Sequence, residues 1–299
     1  MITATISTYN REKYLPQVLE SLKKQTLSKD LFEIILVDNN SPGNTKEIAL
    51  NFKKNNPDIK FEYYLETNQG LSYGRNRGIA EAKGKYITFI DDDAFLSKNY
   101  LEVIYNHFEQ NPNTVAIGSK ILLHYETIIP KWENKYLNSL LGFFDLGDEP
   151  KTFPTNDYPR GSNMSFRTDV FKTVGDFNVE LGRKGNNLAG SEEKDMFMRI
   201  YKHKNLKVDY IPNAIIYHCV PIERTTNKFI KRQALGTGKS EKVRIKNQGL
   251  TATLKRYFME IVKWGGSLAL FIIYLFKGQA AKGIMIVKFR WWVSKALFF

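Results

Sequence analysis

The amino-acid sequence predicts an α/β fold: a mostly parallel sheet flanked by helices, followed by a basic helical extension at the C-terminus. Two observations support this prediction. Strand-like and helix-like segments alternate regularly through the first half of the 299-residue chain, which is the pattern of successive βαβ units. The formal net charge of +13 lies entirely after His218.

The predicted elements follow one another at short intervals. We predict strands over residues 2–8, 33–39, 60–66 and 85–91, and helices over residues 13–24, 45–54, 76–82 and 98–108. The first helix illustrates the reasoning, because its apolar residues recur at helical spacing; they are Leu15, Val18, Leu19 and Leu22. Periodicity weakens over residues 125–159, where Trp, Phe, Pro and Gly mix with charges, and this segment predicts a long irregular insertion.

Composition limits the possible functions. Hydrophobic residues make up 42% of the chain and charged residues 25%, as in ordinary globular domains, so we expect function to reside in a folded site. Cys219 is the single cysteine, which excludes an internal disulfide and a cysteine-rich zinc site and favours the cytosol. The apolar segment Ile2–Ile6 has no basic segment before it and predicts a first strand, not a signal peptide.

Polar residues follow each of the four predicted strands. Ligands of parallel α/β sheets bind at the carboxyl ends of the strands, so these residues are expected to meet at one edge. Each group alone can be an ordinary turn or helix cap, but four together predict a binding site. The groups are residues 8–11 (Thr-Tyr-Asn-Arg), 38–41 (Asp-Asn-Asn-Ser), 68–70 (Asn-Gln-Gly) and 91–93 (Asp-Asp-Asp).

The acid triplet Asp91-Asp92-Asp93 ends an apolar strand. Three adjacent carboxylates repel one another unless a cation shares their charge. A hard divalent ion such as Mg²⁺ or Mn²⁺, held by one or two carboxylates and substrate phosphates, fits this composition and can neutralise a diphosphate leaving group. The alternative is a solvated acidic turn.

Six segments, in this order, resemble the family 2 glycosyltransferases, which have the Rossmann-like GT-A fold. The resemblance covers residues 2–218, and the segments are ISTYNRE, EIILVDNNS, ETNQGLSYGRNRGI, ITFIDDDAFL, GSNMSFRTDVFKTVGDFN and SEEKDMFMRI. It implies metal-dependent transfer of a sugar, with inversion, from a nucleotide-diphosphate sugar to an acceptor hydroxyl. A UDP-sugar is the expected donor, and a glycan or lipid-linked molecule the expected acceptor.

The resemblance also implies roles for individual residues. Asp93 corresponds to the metal ligand of the DxD motif, and His218 to a histidine that completes the metal site, although a histidine after an apolar strand can also be structural. Asn163 corresponds to a residue near the acceptor and donor sugar, although its neighbours also fit a plain turn. The positions assigned to the nucleotide sugar are Thr8, Tyr9, Arg11, Asp38, Asn68, Arg75, Asp91 and Asp92. Arg75 can pair with phosphate through two contacts, or form a surface ion pair.

The expected catalytic base is Glu193. The family usually carries Glu-Asp two residues before a second acid, and here the stretch reads Glu192-Glu193-Lys194-Asp195. Glutamate can abstract a proton as aspartate does but is one methylene longer, so Glu192 is the alternative base. The competing interpretation is a charged first helical turn, which the helix dipole favours.

The region after residue 218 predicts a second domain, so we expect a catalytic domain over residues 1–218 and an extension over 219–299. The extension has sixteen Lys and Arg against three acids, together with the apolar run Trp264–Phe276 and the terminal RWWVSKALFF. A run of 13 residues is short for a hydrocarbon core that needs about 20. We therefore expect a helix lying in the membrane interface, attracted to anionic lipid on the cytoplasmic face of the cell membrane. The alternative is a helical hairpin packed on the catalytic domain.

Other functions fit the sequence less well. A nucleotidyltransferase shares the α/β core and acid-bound metal but is expected to have a Gly- and Arg-rich phosphate loop where this chain has STYNRE. A dinucleotide-dependent oxidoreductase needs G-x-G-x-x-G after the first strand, and this chain has no such pattern there. Binding of nucleic acid would explain the basic extension, but it does not explain acids at the strand ends, so no nucleic-acid partner is expected.

Overall fold

The structure is a computed structural model that describes residues 1–183, 191–246 and 249–299. It contains two compact units. The α/β unit comprises Met1–Leu122 and Phe144–His218, and the helical unit comprises Leu123–Phe143 and Cys219–Phe299. The main part of the helical unit thus starts at Cys219, but the unit also takes in Leu123–Phe143, which the sequence prediction assigns to the catalytic domain.

The α/β unit contains alternating strands and helices, and the predicted fold class is confirmed. Its strands are Ile2–Thr8 (β1), Phe32–Asp38 (β2), Phe61–Leu65 (β3), Tyr86–Asp91 (β4), Ala94–Leu96 (β5), Thr114–Tyr125 (β6), Lys151–Thr152 (β7), Asn163–Arg167 (β8) and Lys207–Val220 (β9). Its helices are Leu15–Lys23 (α1), Thr45–Asn55 (α2), Leu71–Glu81 (α3), Tyr100–Gln110 (α4), Val170–Val174 (α5) and Glu192–Tyr201 (α6). The last residues of β6 and β9 extend into the helical unit.

The strands form one mixed sheet in the order β3-β2-β1-β4-β8-β6-β9-β5, with β7 beside β9. The first four strands of this order pair in parallel. Beyond them, β8 is antiparallel to β4 and β6, and β5 and β7 are antiparallel to β9. The predicted parallel arrangement therefore holds only for the N-terminal strands, where α1, α2 and α3 supply the crossovers that parallel pairs require.

Helix α3 lies directly on β1. A Cβ atom added at Gly78 would be 2.4 Å from Thr5 Oγ1, and one added at Gly74 would be 3.0 Å from Ser7 Oγ. Real Cβ atoms essentially never approach as closely as the first of these distances, so Gly78 is the residue that permits the contact. Because this packing fixes α3 on the sheet, it also fixes Arg75, which lies between the two glycines.

The helical unit consists mainly of Asn227–Lys246 (α7), Leu250–Phe276 (α8) and Ala280–Phe298 (α9), with α9 in contact with both α7 and α8. It has a hydrophobic core of its own, which includes Trp132, Leu137, Leu141, Val220, Ile230, Met285 and Ile286. Trp132 Nε1 donates to Thr225 O at 2.8 Å. The segment around Trp132 thus completes this core, which is why it separates from the α/β unit.

A buried charge cluster links the helices of this unit, and we call it the Glu260 cluster. The Glu260 carboxylate is 1% exposed and accepts from Arg256 at 2.7 Å, from Arg290 at 3.3 Å and from Ser294 Oγ at 2.7 Å. Arg256 also donates to Glu241 at 2.9 Å. Burial alone would raise the pKa of Glu260, but these donors outweigh it and lower the pKa.

Helix α8 is longer than the apolar run seen in the sequence. Its 27 residues include one stretch, Thr253–Phe276, that is long and apolar enough to cross a membrane by length and composition alone. The apolar run Trp264–Phe276 is thus only the second half of this helix, and the expectation of a helix lying in the membrane interface stays a prediction. One face of α8, the α8 stripe, consists of exposed apolar residues at spacings of mostly three or four: Leu250, Leu254, Phe258, Ile261, Leu268, Ile272, Leu275 and Phe276.

Candidate active site

The carboxyl ends of β1, β2 and β4 meet at one edge of the sheet, as the sequence predicts. Thr8 pairs with Asp38 across β1 and β2, and Ser7 pairs with Asp91 across β1 and β4. Thr8 and Asp38 are 2% and 3% exposed. The parallel register therefore brings residues from three separate segments of the sequence into one site.

The middle acid of the triplet is held from the β1 side. Thr8 Oγ1 donates to Asp92 Oδ2 at 2.7 Å, and Arg11 lies 3.9 Å from Asp92 and 3.4 Å from Asp93. Burial, with Asp93 and Asp91 nearby, raises the pKa of Asp92 well above its usual range, although Thr8 and Arg11 oppose the shift. Three neighbouring carboxyl groups repel one another when ionised, which favours a bound metal ion at this site.

The side chains of Asp91, Asp93 and His218 form a candidate metal site. One ligand atom from each residue lies within 4.8 Å of the other two, and His218 Nε2 is 3.4 Å from Asp93 Oδ1. Pairing of Ala94 with His218 across β5 and β9 brings the histidine beside the triplet. Ligands about 2.1 Å from one ion lie at most about 4.2 Å apart, so small side-chain movements suffice. Two carboxylates and an imidazole suit Mn²⁺.

This group includes both metal ligands expected from the sequence, Asp93 and His218. It also includes Asp91, which the family resemblance assigns to the nucleotide sugar. Asp91 is about one-third exposed, whereas Asp93 is buried. Asp91 can therefore face a ligand in solution while sharing a cation with Asp93.

Asp38 is held by two donors. Ser41 N donates to Asp38 Oδ1 at 2.8 Å, and the Tyr63 hydroxyl donates to Asp38 Oδ2 at 2.9 Å. Burial and the bond to Asp38 raise the pKa of Tyr63, so this hydroxyl remains a donor. A carboxylate fixed in this way retains lone pairs for a ligand. Tyr9, which follows the last residue of β1, is 47% exposed and available to contact a flat ring.

The loop after β3 is held by Asn39, a residue to which the sequence analysis assigned no role. Asn39 Nδ2 donates to the carbonyls of Glu66 and Asn68, and Asn39 Oδ1 accepts from Gly70 N at 2.8 Å. The side chain of Asn68 is exposed and bonds locally to Glu66 at 2.9 Å. Asn39 therefore shapes the loop, and Asn68 lies on its surface.

Arg75 is buried among three acids, and we call this group the Arg75 cluster. Its Nη1 donates to Glu192 Oε1 at 2.9 Å, and its Nη2 lies 3.3 Å from Glu193 Oε1 and 4.0 Å from Asp91 Oδ1. Nη2 also contacts Gly161 O at 3.4 Å. The surface ion pair considered for Arg75 is therefore a buried one, with a side chain only 3% exposed.

The two candidate bases differ in accessibility. The Glu192 side chain is 2% exposed, whereas that of Glu193 is 26% exposed. Burial raises the pKa of Glu193; Arg75 opposes the shift, while Glu192 and Asp91 add to it. A Cβ atom at Gly161 would lie 1.7 Å from Glu193 Oε1, so glycine makes room for this carboxylate. Glu193 is the acid of the pair that a substrate can reach.

Asn163 does not face the site, contrary to the sequence prediction. It is 1% exposed, its Oδ1 accepts from Tyr100 Oη at 2.7 Å, and its Nδ2 donates to Lys120 O at 3.2 Å. Both ends of the amide are therefore used inside the protein. Pairing with Ile90 in the β4–β8 register fixes this orientation, and we leave Asn163 out of the proposed site.

Several residues that shape the site were missed by sequence reasoning. Tyr63 lies within β3 and gives no local signal, and Gly161 is one of the neighbours of Asn163 that also fit a plain turn. Asn76 belongs to the segment ETNQGLSYGRNRGI. Its side chain forms two hydrogen bonds of 2.9 Å with the backbone of Phe177. Phe177 in turn lies under the Arg75 guanidinium, 5.4 Å from Cζ. Only Asn76 could have been found, since it follows Arg75 in a recognised motif.

Known proteins resemble this chain in sequence. The glucosyl-dolichyl phosphate glucuronosyltransferase of Haloferax volcanii is 28% identical over 246 residues, which cover 81% of this chain and 76% of that protein. Glycosyltransferase GlyG of Streptococcus pneumoniae is 34% identical over 119 residues, 40% of this chain and 38% of the relative. The chain thus spans three quarters of the first relative but well under half of the second.

Solved structures share the fold. The mannosyltransferase PcManGT of Pyrobaculum calidifontis, solved with GDP-Man and Mn²⁺, superposes with a TM-score of 0.60 at 15% identity and covers 99% of this chain and 87% of its own. TarS 1–349 of S. aureus, solved with UDP-GlcNAc, has a TM-score of 0.53 at 19% identity, covering 79% and 66%. At these identities the likeness concerns the GT-A fold alone.

The family comparison is decisive, because it covers more than half of the chain. The profile described as Glycosyl transferase family 2 matches residues 3–175, which include the ends of β1, β2, β3 and β4 and the Asp91-Asp92-Asp93 triplet. The chain belongs to family 2 of the glycosyltransferases.

Proposed function

We propose that this chain transfers a sugar from a nucleotide-diphosphate sugar to an acceptor hydroxyl in one displacement, with inversion at the anomeric carbon. The observation that carries the proposal is that Arg75 lies beside both the reachable carboxylate of Glu193 and Asp91, which belongs to the candidate metal site. A single base facing a leaving group held by a cation is the arrangement that direct displacement requires.

In the proposed reaction Glu193 takes the proton of the acceptor hydroxyl. The acceptor oxygen forms a bond to the anomeric carbon while the bond from that carbon to the diphosphate breaks, and Glu193 later returns its proton to solvent. A raised pKa suits this role, because a base is most effective when its pKa lies near the working pH. Arg75 keeps the carboxylate oriented.

We assign a divalent cation, Mn²⁺ or Mg²⁺, to Asp93, His218 and Asp91. When bound, it neutralises charge that develops on the diphosphate. For the nucleoside we assign Thr8, Tyr9 and Asp38 as contacts, with Asp92, Arg11 and Asn68 at the edge of the same pocket. Since a fixed carboxylate can accept from a base N–H, Asp38 suits uracil, and we propose a UDP-sugar.

We further propose that the acceptor is a growing glycan or lipid-linked, and that the helical unit holds the enzyme at an anionic membrane surface. The Haloferax volcanii relative is a glucosyl-dolichyl phosphate glucuronosyltransferase, which supports a lipid-linked acceptor. The α8 stripe exposes eight apolar side chains, and residues 219–299 carry all of the net positive charge. Apolar contact and attraction to anionic lipid add to each other.

This assignment places catalysis within residues 1–218 and membrane attachment within residues 219–299. It corresponds to a cytoplasmic enzyme bound peripherally to the inner face of the cell membrane. Exposed apolar patches such as the α8 stripe mark interaction sites. An enzyme that acts on a soluble acceptor would not need such a surface.

The donor assignment is tested by binding of nucleoside diphosphates. Calorimetry with UDP and with GDP, each with and without Mn²⁺, should show UDP binding that requires Mn²⁺. Asp93→Asn should lose this binding, whereas Asp195→Asn, an acid in the same region that pairs with Arg199 at 2.9 Å, should retain it. Equal UDP binding by the wild type and Asp93→Asn, with and without the metal, would exclude the proposed site.

The membrane assignment is tested by co-sedimentation with vesicles of phosphatidylglycerol and phosphatidylcholine. The variant Leu254→Ser/Phe258→Ser/Ile261→Ser should bind at least about tenfold more weakly, because burial of each such side chain contributes about 1.5–3 kcal/mol. Leu50→Ser, which changes an exposed leucine of the α/β unit, is the matched control. Binding of the triple variant at the wild-type level, or no wild-type binding at low salt, would contradict the proposal.

A further inference from the structure

Both terminal nitrogens of the Arg75 guanidinium already donate to protein groups. Nη1 donates to Glu192 at 2.9 Å, and Nη2 contacts Glu193 at 3.3 Å and Gly161 O at 3.4 Å. The side chain is 3% exposed and lies over Phe177. A guanidinium that binds phosphate must instead turn its N–H groups toward the ligand.

Turning Arg75 toward the phosphates of a nucleotide sugar would also remove the counter-ion of Glu192. The Glu192 carboxylate is 2% exposed, and Glu192 Oε2 has no hydrogen-bond partner within the described residues. If Arg75 left, Glu192 would remain buried without its counter-ion, and breaking a buried pair from one side is strongly destabilising. The pair is therefore a fixed part of the fold.

We propose that Arg75 and Glu192 are positioning residues, which hold the Glu193 carboxylate between the acceptor and the metal site, and that Arg75 does not bind the donor phosphates. The inference rests on the proposed role of Glu193 as the base. It replaces the nucleotide contact that the family resemblance implies for Arg75 and the alternative catalytic role considered for Glu192.

The charges around Glu193 make this role measurable. Arg75 and Arg183 stabilise its carboxylate, whereas Glu192 and Asp91 destabilise it, and Tyr158 also lies within range of its charge. Removing the cation should raise the pKa of Glu193, and removing the neighbouring anion should lower it. The two variants should therefore move the pH profile of the reaction in opposite directions, which a purely structural pair would not do.

The experiment compares Arg75→Gln, Arg75→Lys and Glu192→Gln with the wild type. Binding of UDP with Mn²⁺ is measured by calorimetry, and turnover as UDP released from UDP-GlcNAc or GDP released from GDP-mannose, whichever the wild type hydrolyses. Arg75→Gln should bind UDP within about threefold of the wild type, lose at least about tenfold in kcat and shift the rising limb of the pH profile upward. Glu192→Gln should shift this limb downward, and Arg75→Lys should restore part of kcat.

A loss of UDP affinity of tenfold or more in Arg75→Gln, with an unchanged pH limb, would overturn the inference and return Arg75 to the phosphates. Equal pH limbs in both variants would also overturn it. If Arg75→Gln unfolds, the double variant Arg75→Gln/Glu192→Gln, which buries no charge at these positions, replaces it in the binding assay. Full turnover in Glu193→Gln would instead refute the proposed base, a result separate from the UDP-binding readout.

Discussion

Each unit of this molecule buries a cluster of charged residues, and the two clusters are balanced differently. In the Glu260 cluster, two arginines and a hydroxyl surround a carboxylate whose pKa is lowered. In the Arg75 cluster, one arginine faces three acids, and the pKa of Glu193 is raised. The Glu260 cluster, whose carboxylate has enough donors, holds helices together. The Arg75 cluster has more acids than arginines, which favours binding of a proton or a cation.

The largest expected effect is on turnover and comes from the Arg75 cluster. Glu193→Gln should lower turnover by about 10²–10⁴-fold, since general base catalysis typically contributes that much, while the affinity for UDP with Mn²⁺ stays near the wild-type value. Steady-state kinetics and calorimetry measure the two quantities. If Glu192→Gln is the inactive variant and Glu193→Gln is active, the roles of the two glutamates are reversed.

Changes in the Glu260 cluster should lower the stability of the helical unit. Glu260→Ala leaves Arg256 and Arg290 without their shared carboxylate, and we expect a loss of about 3–5 kcal/mol in the free energy of unfolding of the helical unit. Thermal unfolding followed by circular dichroism checks this, with Glu223→Ala as the control because Glu223 is an exposed acid of the same unit. UDP binding should be unchanged in both variants if the cluster serves the helical unit alone.

The two clusters should also give opposite dependences of stability on pH. Because the folded-state pKa of Glu260 is lowered, its stabilisation is complete above the unfolded value of about 4.3 and is lost as pH falls through the folded pKa. Because that of Glu193 is raised, the free energy of unfolding falls as pH rises from the unfolded to the folded pKa. Melting temperatures measured across pH 3–8 check this. Glu260→Gln should remove the loss of stability at low pH, and Glu193→Gln should remove the loss of stability as pH rises. Curves of both variants that run parallel to the wild-type curve would refute the assigned shifts.

The Asp38 carboxylate accepts one hydrogen bond on each oxygen, from Ser41 N and from the Tyr63 hydroxyl. We expect the loss of one of these bonds to have the smallest effect. Tyr63→Phe removes the hydrogen bond that a hydroxyl donates to the Asp38 carboxylate, and a hydrogen bond to a charged group contributes about 1.5–3 kcal/mol to stability. We expect UDP to bind about 2–10-fold more weakly, with kcat little changed. Tyr64→Phe, a neighbour on the opposite face of β3, should behave as the wild type in the same calorimetry. A loss in both variants would indicate a general effect on β3.

Sequence reasoning succeeded where information is local. The alternation of strand-like and helix-like segments predicted the first four strands, and the rule that ligands bind at strand ends located Thr8, Asp38 and the acid triplet. It failed where partners are distant in the chain. The antiparallel half of the sheet depends on pairings such as Ile90 with Asn163, and this register also turned Asn163 away from the site.

The acids around Arg75 show the same limit. The motif marked Arg75, Glu192 and Glu193 separately, but no pattern states that a residue of α3 pairs with residues more than 100 positions later. Burial of Arg75 follows from the close contact of α3 with β1 at Gly78. Such contacts depend on packing, which a periodicity does not encode.

The short pairing of β5 with β9 has a consequence for how the molecule folds. It joins Ala94 to His218, so the third candidate metal ligand comes from the end of the α/β unit, some 125 residues after Asp93. Contacts of such long sequence separation form late, because their loop-closure entropy must be overcome first. During synthesis the acid triplet leaves the ribosome long before its histidine. A chain interrupted before β9 would therefore have its carboxylates but only a partial coordination sphere, and tight capture of the ion would report that the α/β unit has finished folding.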